Sequence, residues 1–66
     1  MKELQTYIEG FGFGISVKEL VTKAYRHLRS LGHDTCIVND RYIEVDGSTY
    51  YLSKSRKHGR WIAKEF

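Results

Sequence analysis

The sequence contains no proline, one cysteine and no long apolar run. A single cysteine, Cys36, excludes an intramolecular disulfide, so the fold has to depend on packing, on a partner subunit or on a metal. Charges at Lys2, Glu3 and Glu9 interrupt the first ten residues, so we expect neither a signal peptide nor a membrane-spanning helix. The expectation is a soluble, cytoplasmic protein with no membrane partner.

The composition is that of a folded chain. Aromatic residues make up 14% of the sequence and apolar residues 41%, whereas disordered chains have few aromatic residues and are rich in proline and charge. There is no internal repeat, low-complexity segment or linker. A chain of 66 residues has room for one domain with one small core. We therefore predict that residues 1–66 form a single small domain.

The strongest local pattern predicts a helix over residues 17–31. Ser16 and Glu19 have the S-x-x-E spacing of a capping box, and Ile15 and Leu20 are placed to form a hydrophobic staple around it. Gly32 can end the helix in the left-handed conformation. One apolar stripe follows the helical period and consists of Val17, Leu20, Val21, Ala24, Leu28 and Leu31.

Downstream of the helix the apolar period changes to two, which is typical of strands. Asp46-Gly47 predicts a tight hairpin turn, because such a turn needs positive φ at both central residues, and Asn39-Asp40 predicts an earlier turn. Strand-like segments cover residues 35–38, 41–46, 48–53 and 60–66, which predicts three or four antiparallel strands. The hairpin register places Ile43, Val45, Tyr50 and Leu52 under the helix and Tyr42, Glu44, Thr49 and Tyr51 on the opposite face.

The first fourteen residues combine a short helical pattern with a glycine-rich segment. Leu4, Tyr7, Ile8 and Phe11 fit a short amphipathic helix, and the GFGFG sequence at 10–14 predicts an irregular turn that its glycines permit. This segment matches neither of the common phosphate-binding patterns, G-x-x-x-x-G-K-[ST] and G-x-G-x-x-G after a strand. Together the patterns predict an α+β fold, in which one principal helix packs on an antiparallel β meander.

Residues that could carry catalysis or bind a metal are sparse. His33 lies three positions before Cys36, but Cys36 belongs to an apolar strand-like segment, where a buried structural thiol is expected. His27, His33, Cys36 and His58 lack the paired spacing of structural zinc sites. We therefore expect no enzymatic activity, no metal and no cofactor.

Basic residues are concentrated in two parts of the sequence. Residues 53–64 contain five bases and no acid, whereas residues 34–46 contain four acids and one base. The candidate phosphate-binding residues of the first group are Lys54, Arg56, Lys57 and Arg60, beside which Trp61 and Tyr51 offer flat surfaces on which a base could stack. The second group lies on the side of the helix opposite its apolar stripe and consists of Lys18, Lys23, Arg26 and Arg29.

These patterns favour a small nucleic-acid-binding module, or accessory regulator, that contacts the phosphate backbone of DNA or RNA. In one alternative the charges only keep a small domain soluble. In another the partner is an acidic protein, and the chain is an inhibitor or adaptor of a larger assembly. Five tyrosines, one tryptophan and the expected edge strands favour such an interface, including one within a homodimer.

Overall fold

Two helices precede four strands in the computed structural model, which describes residues 1–66. The helices are α1 (Lys2–Glu9) and α2 (Val17–Ser30), and the strands are β1 (Thr35–Ile37), β2 (Tyr42–Val45), β3 (Ser48–Ser55) and β4 (Arg60–Glu65). The strands form one sheet in the order β1-β2-β3-β4, and each is antiparallel to its neighbour. The predicted α+β class, with one long helix, a short N-terminal helix and a meander, is confirmed.

Local interactions define both ends of α2. The backbone N–H of Glu19 donates to Oγ of Ser16 at 3.1 Å, which is one half of the predicted capping box. At the other end Gly32 has a φ of 90°, as predicted. The N–H of Gly32 donates to the carbonyl of Arg29 and the N–H of His33 to that of Leu28, so the helix ends in a Schellman motif.

The glycine-rich segment differs from the prediction in how its glycines are used. Gly10 has a helical φ of −72°, and positive φ among the glycines is confined to Gly32, Gly47 and Gly59. The segment therefore requires no left-handed glycine conformation. Phe11 and Phe13 are partly buried against the core, as expected.

The hairpin between β2 and β3 has the predicted register. Asp46 and Gly47 have φ values of 50° and 88°, and Val45 pairs with Ser48 across the turn. Tight two-residue turns of this hand match the twist of the flanking strands. The four residues predicted to face the helix are buried, namely Ile43, Val45, Tyr50 and Leu52.

The core lies between the helices and one face of the sheet. Its buried side chains come from α1 (Leu4, Ile8), from α2 (Leu20, Val21, Ala24, Leu28) and from the sheet (Ile43, Val45, Tyr50, Leu52, Trp61). Leu31, predicted to continue the apolar stripe of α2, is instead 53% exposed, because the helix ends at Ser30 and the chain turns away at Gly32. Neither helix has the length and apolar composition that crossing a bilayer requires.

Helix α1 covers the free edge of β4 through one side chain. Gln5 donates from Nε2 to the carbonyl of Trp61 at 2.9 Å, and its Oε1 accepts from the N–H of Ala63 at 2.9 Å. A β-strand at the edge of a sheet otherwise presents such groups to another chain. Gln5 therefore occupies the part of the β4 edge where a further strand would pair.

Candidate nucleic-acid interface

The face of the sheet opposite the helices carries an aromatic end and a cationic end. Residues paired across antiparallel strands lie on the same face, and Tyr42, Tyr51 and Lys64 form one such row. The next rows toward the β3–β4 turn pair Ser53 with Ile62 and Ser55 with Arg60. We call this helix-free surface the outer face; its residues are Cys36, Tyr42, Glu44, Thr49, Tyr51, Ser53, Ser55, Arg60, Ile62 and Lys64.

A shallow groove runs along the β3–β4 hairpin. It has a volume of about 300 Å³ and is lined by Ser53, Lys54, Ser55, His58, Arg60, Ile62 and Lys64. Six of these seven residues are polar or basic, and Ile62 is the exception. Hydroxyl groups and cationic side chains are the groups that contact phosphate oxygens in protein complexes with nucleic acids.

The turn between β3 and β4 presents free cations. The N–H of His58 donates to Oγ of Ser55 at 3.3 Å, and Gly59 has a φ of 67°, so the turn at 56–59 has a defined geometry. Arg56 and Lys57 are exposed, and neither belongs to any of the three ion pairs in the structure. We call residues 56–59 the hairpin tip; its cations are available to an anionic partner.

Arg60 is partly neutralised by α1. Its Nε lies 3.3 Å from Oε1 of Glu9, and the two side chains are 48% and 39% exposed. Ion pairs with this degree of exposure contribute little to folding, about 0–1 kcal/mol. The pair places one carboxylate beside the cationic end of the outer face.

The structure separates Lys54 from the other cations of residues 53–64. Lys54 pairs with Trp61 on the helix side of the hairpin, and its ammonium lies 5.7 Å and 5.5 Å from the ring centroids of Phe13 and Trp61. Although Lys54 borders the outer groove, its charge interacts with these rings. It therefore does not join Arg60 and Lys64 as an outer-face cation.

Trp61 is not a stacking surface, contrary to one reading of the sequence. Its side chain is 1% exposed, its indole N–H donates to the carbonyl of Gly12 at 3.0 Å, and Phe13 packs edge-on against it at 5.9 Å. The indole is buried because strand alternation places residue 61 on the helix side of β4. A base has no access to this ring.

An aromatic cluster that includes the predicted Tyr51 lies on the outer face instead. The ring centroids of Tyr42 and Tyr51 are 5.1 Å apart, and Phe66 packs edge-on against Tyr42 at 5.6 Å. Phe66 is 88% exposed, and its N–H donates to the carbonyl of Thr49, which continues the pairing of β4 with β3. Phe66 was not among the residues predicted from the sequence. We call Tyr42, Tyr51 and Phe66 the ring cluster.

The basic face of α2 lies on the other side of the molecule. Its four cations are exposed: Lys18, Lys23, Arg26 and Arg29. At about 100° per residue, Arg26 points directly away from the buried stripe that faces the sheet. Arg29 donates to the hydroxyl of Tyr25 at 2.7 Å, with its guanidinium 5.4 Å from the ring centroid. The outer face and the helix face are thus two separate surfaces.

The histidines and the cysteine lie apart from one another. Cys36 is exposed on the outer face, not buried as expected, because Thr35 takes the inward position of β1. His27 stacks on Tyr7 at 4.1 Å, and His33 donates from Nδ1 to Oδ2 of Asp46 at 2.7 Å. No three His, Cys, Asp or Glu side chains are grouped closely enough to hold a metal ion.

The bonds that Asp46 accepts alter its acidity. His33 and the backbone N–H of Asp34 both donate to its carboxylate, and these bonds, that of His33 first, hold the pKa of Asp46 below its usual 3.8. Nε2 of His33 also lies 3.7 Å from Oε2 of Glu3 on α1. This cluster joins the β2–β3 turn to the N-terminus and lies away from the hairpin tip.

Comparison of the chain with protein-family models, curated proteins and solved structures found no match.

Proposed function

We propose that this chain is a small, non-enzymatic nucleic-acid-binding module, acting as a regulator or accessory factor. The observation that carries the proposal is the hairpin tip, where exposed Arg56 and Lys57 have no acidic partner. The tip continues into a groove bordered by Arg60, Lys64 and two serine hydroxyls. Such an arrangement suits the phosphate backbone, which supplies most of the affinity in binding that is not sequence-specific.

The proposed function predicts that the affinity for nucleic acid falls as the salt concentration rises. Four phosphate contacts, by Arg56, Lys57, Arg60 and Lys64, imply a slope of log affinity against log salt of about −4 on duplex DNA and about −3 on single strands. The slope is measured by fluorescence anisotropy of labelled oligonucleotides over a series of salt concentrations. A flat salt dependence, or no binding at low salt, would contradict the proposal.

Two double variants identify the binding surface. Arg56→Ala/Lys57→Ala removes two phosphate contacts and is expected to reduce the steepness of the slope by about 1.4 on single strands. Arg26→Ala/Arg29→Ala removes the same charge from the opposite side of the molecule and is expected to leave the slope unchanged. If the second variant alone weakens binding, α2 is the contacting element.

One observation favours a protein partner as a second candidate function. β1 is a three-residue edge strand; its last residue, Ile37, is 40% exposed, and Val38, which follows it, is 52% exposed. Exposed apolar side chains at an open edge favour pairing with another chain, including a second copy. Sedimentation of the wild type and of Ile37→Lys tests the homodimer: a dimer that dissociates in the variant would support it, and a monomer at all concentrations would exclude it.

A cytoplasmic location is part of the same proposal. Cys36 is exposed and unpaired. An exposed thiol is best maintained in a reducing compartment, because disulfides form and persist in oxidising ones.

A further inference from the structure

We propose that the outer face of the sheet binds single-stranded nucleic acid, with an unpaired base stacked on the ring cluster and the backbone following β4 toward the hairpin tip. The inference rests on the proposed nucleic-acid function and names its substrate class.

The ring cluster is accessible and has no element of the chain packed over it. Both helices lie on the other face of the sheet, and Phe66 is 88% exposed while Tyr42 and Tyr51 are partly exposed. Tyr42 lies at the centre of the cluster, with its ring centroid 5.1 Å from that of Tyr51 and 5.6 Å from that of Phe66. Stacking a base on aromatic rings is favourable for any base, because every base has a π face.

Cations begin directly beside the rings. Lys64 is the cross-strand partner of Tyr51, so their Cβ atoms are neighbours at about 5 Å. A nucleotide stacked on Tyr51 therefore has its phosphates close to a lysine. Arg60 lies four residues along the strand from Lys64, about 13 Å away, and the groove joins them. Along the outer face, the ring cluster is thus followed by Lys64, then by the hydroxyl groups of Ser53 and Ser55 with Arg60, and finally by the hairpin tip.

This order distinguishes a single strand from a duplex. Within a duplex each base is covered on both faces by its neighbours, so the ring cluster would gain nothing by stacking and only the cations would contribute. A single strand can use both groups at once, because its bases turn outward while its phosphates stay on the cations. The rings are therefore used fully only by an unpaired strand.

A second copy of the chain fits the outer face less well. Face-to-face pairing would bring together two surfaces that each carry Arg60, Lys64 and the hairpin-tip cations Arg56 and Lys57, against two acids, Glu44 and the Glu9 that pairs with Arg60. Like charges brought together in this way oppose association. The charge of the face complements phosphates instead.

The test compares three probes that carry phosphates but differ in their bases. Fluorescence anisotropy measures the affinity of the wild type for an oligothymidine of about 12 nucleotides, for an abasic strand of the same length and for a duplex of the same length. We expect oligothymidine to bind at least about tenfold more tightly than the abasic strand, and the duplex to resemble the abasic strand.

Variants of Tyr51 assign the difference to the ring cluster. Tyr51→Thr removes the ring and introduces a β-branched residue that suits a strand, and it is expected to weaken oligothymidine binding about tenfold while leaving abasic binding unchanged. Tyr51→Phe keeps the ring and is expected to retain wild-type affinity. Tyr25→Thr, on α2, is the matched control and should change neither affinity.

A measurement on the wild type removes any dependence on the folding of the variants. NMR resonances of the rings of Tyr42 and Tyr51 are expected to shift when oligothymidine is added, whereas those of Tyr7 and Tyr25 on the helices are expected to stay in place. Shifts confined to the helix tyrosines would overturn the inference.

The possible failures are separable. If no probe binds at low salt, both the proposed function and this inference are wrong. If oligothymidine binds no more tightly than the abasic strand and the duplex, and Tyr51→Thr has no effect, the chain binds phosphates but the single-strand inference is wrong. If Tyr42 and Tyr51 shift on raising the protein concentration alone, the outer face is an interface between copies of the chain.

Discussion

Asp46 combines a turn conformation with an electrostatic contact in one residue. Its φ is 50°, a conformation that asparagine also tolerates, so Asp46→Asn removes the charge and keeps the turn. The bonded carboxylate has a pKa below 3.8, so its ionised form stabilises the fold at pH values above 3.8 and this contribution is lost as the pH falls through the folded-state pKa. We expect Asp46→Asn to be less stable than the wild type at neutral pH.

The difference in unfolding free energy between the wild type and Asp46→Asn is expected to shrink as the pH is lowered below 3.8. Urea denaturation at a series of pH values measures it. Asp40→Asn is the control, because Asp40 is exposed and its side chain makes no hydrogen bond or ion pair, so its effect should not follow this pH dependence. A deficit of Asp46→Asn that stayed constant from neutral to acid pH would rule out the contact with His33 as its source.

Residues whose conformation depends on near neighbours were predictable from the sequence. Ser16, Gly32, Asp46 and Gly47 behave as predicted, because each satisfies a local backbone requirement within a few positions. Cys36 was wrongly expected to be buried, since its orientation depends on the pairing of β1 with β2, which the short apolar run TCIV does not specify.

At the scale of elements, the least predictable feature is the attachment of α1 to β4. Gln5 lies 56 positions before Trp61, and no local pattern marks a glutamine that will bond a distant strand. We expect Gln5→Glu to destabilise the protein by about 1–3 kcal/mol, because a carboxylate accepts from Ala63 but cannot donate to the carbonyl of Trp61. The introduced charge also lies beside Glu9.

Hydrogen exchange shows whether the stability lost with the bonds of Gln5 is lost at the β4 edge of the sheet. The N–H of Ala63 is expected to exchange faster in Gln5→Ala, in which neither side-chain bond remains, and amides of α2 are expected to lose protection only to the extent of the global change. Thr6→Ala, an exposed neighbour on α1, should leave the amide of Ala63 protected. Equal protection of Ala63 in the wild type and Gln5→Ala would mean that the bond contributes nothing to the edge.

The two hairpins differ in how well the sequence predicts which face each side chain occupies. Asp46-Gly47 marks its turn unambiguously, so Tyr42 and Tyr51 were correctly predicted to face away from the helix. The second turn carries no such dipeptide, and β3 extends to Ser55, two residues beyond the predicted segment. The faces of Lys54 and Trp61 depend on that register, and both proved to lie on the helix side.

For the whole molecule, the sequence predicted the amounts of charge but not their arrangement. The two basic groups are similar in size, yet the fold places the α2 group on one side of the molecule and the second group, apart from Lys54, at the hairpin tip and on the outer face. The ring cluster likewise depends on Phe66 following β4 onto the outer face, where it meets Tyr42, a residue 24 positions earlier in the chain. Surfaces that combine distant segments require the topology to be known.

The ion pair between α1 and the outer face links the two parts of the molecule, and its removal should strengthen binding. Glu9→Gln leaves Arg60 unpaired and removes a negative charge beside the groove, so Arg60 becomes fully available to a phosphate. We expect tighter binding of single strands with a salt slope still of about −3, because Arg60 is already one of the four phosphate contacts. The folding free energy should change by no more than about 1 kcal/mol.

Anisotropy at several salt concentrations, compared between Glu9→Gln and the wild type, measures the effect. Glu19→Gln is the matched control: it makes the same change of charge on α2, where Glu19 forms no ion pair and its side chain faces solvent away from the groove. Both variants reduce the negative charge of the protein equally, so a difference in their affinities for the strand shows that the position of the removed carboxylate matters. If the two variants strengthen binding to the same extent, net charge alone governs the affinity, and Arg60 has no particular contact with the strand.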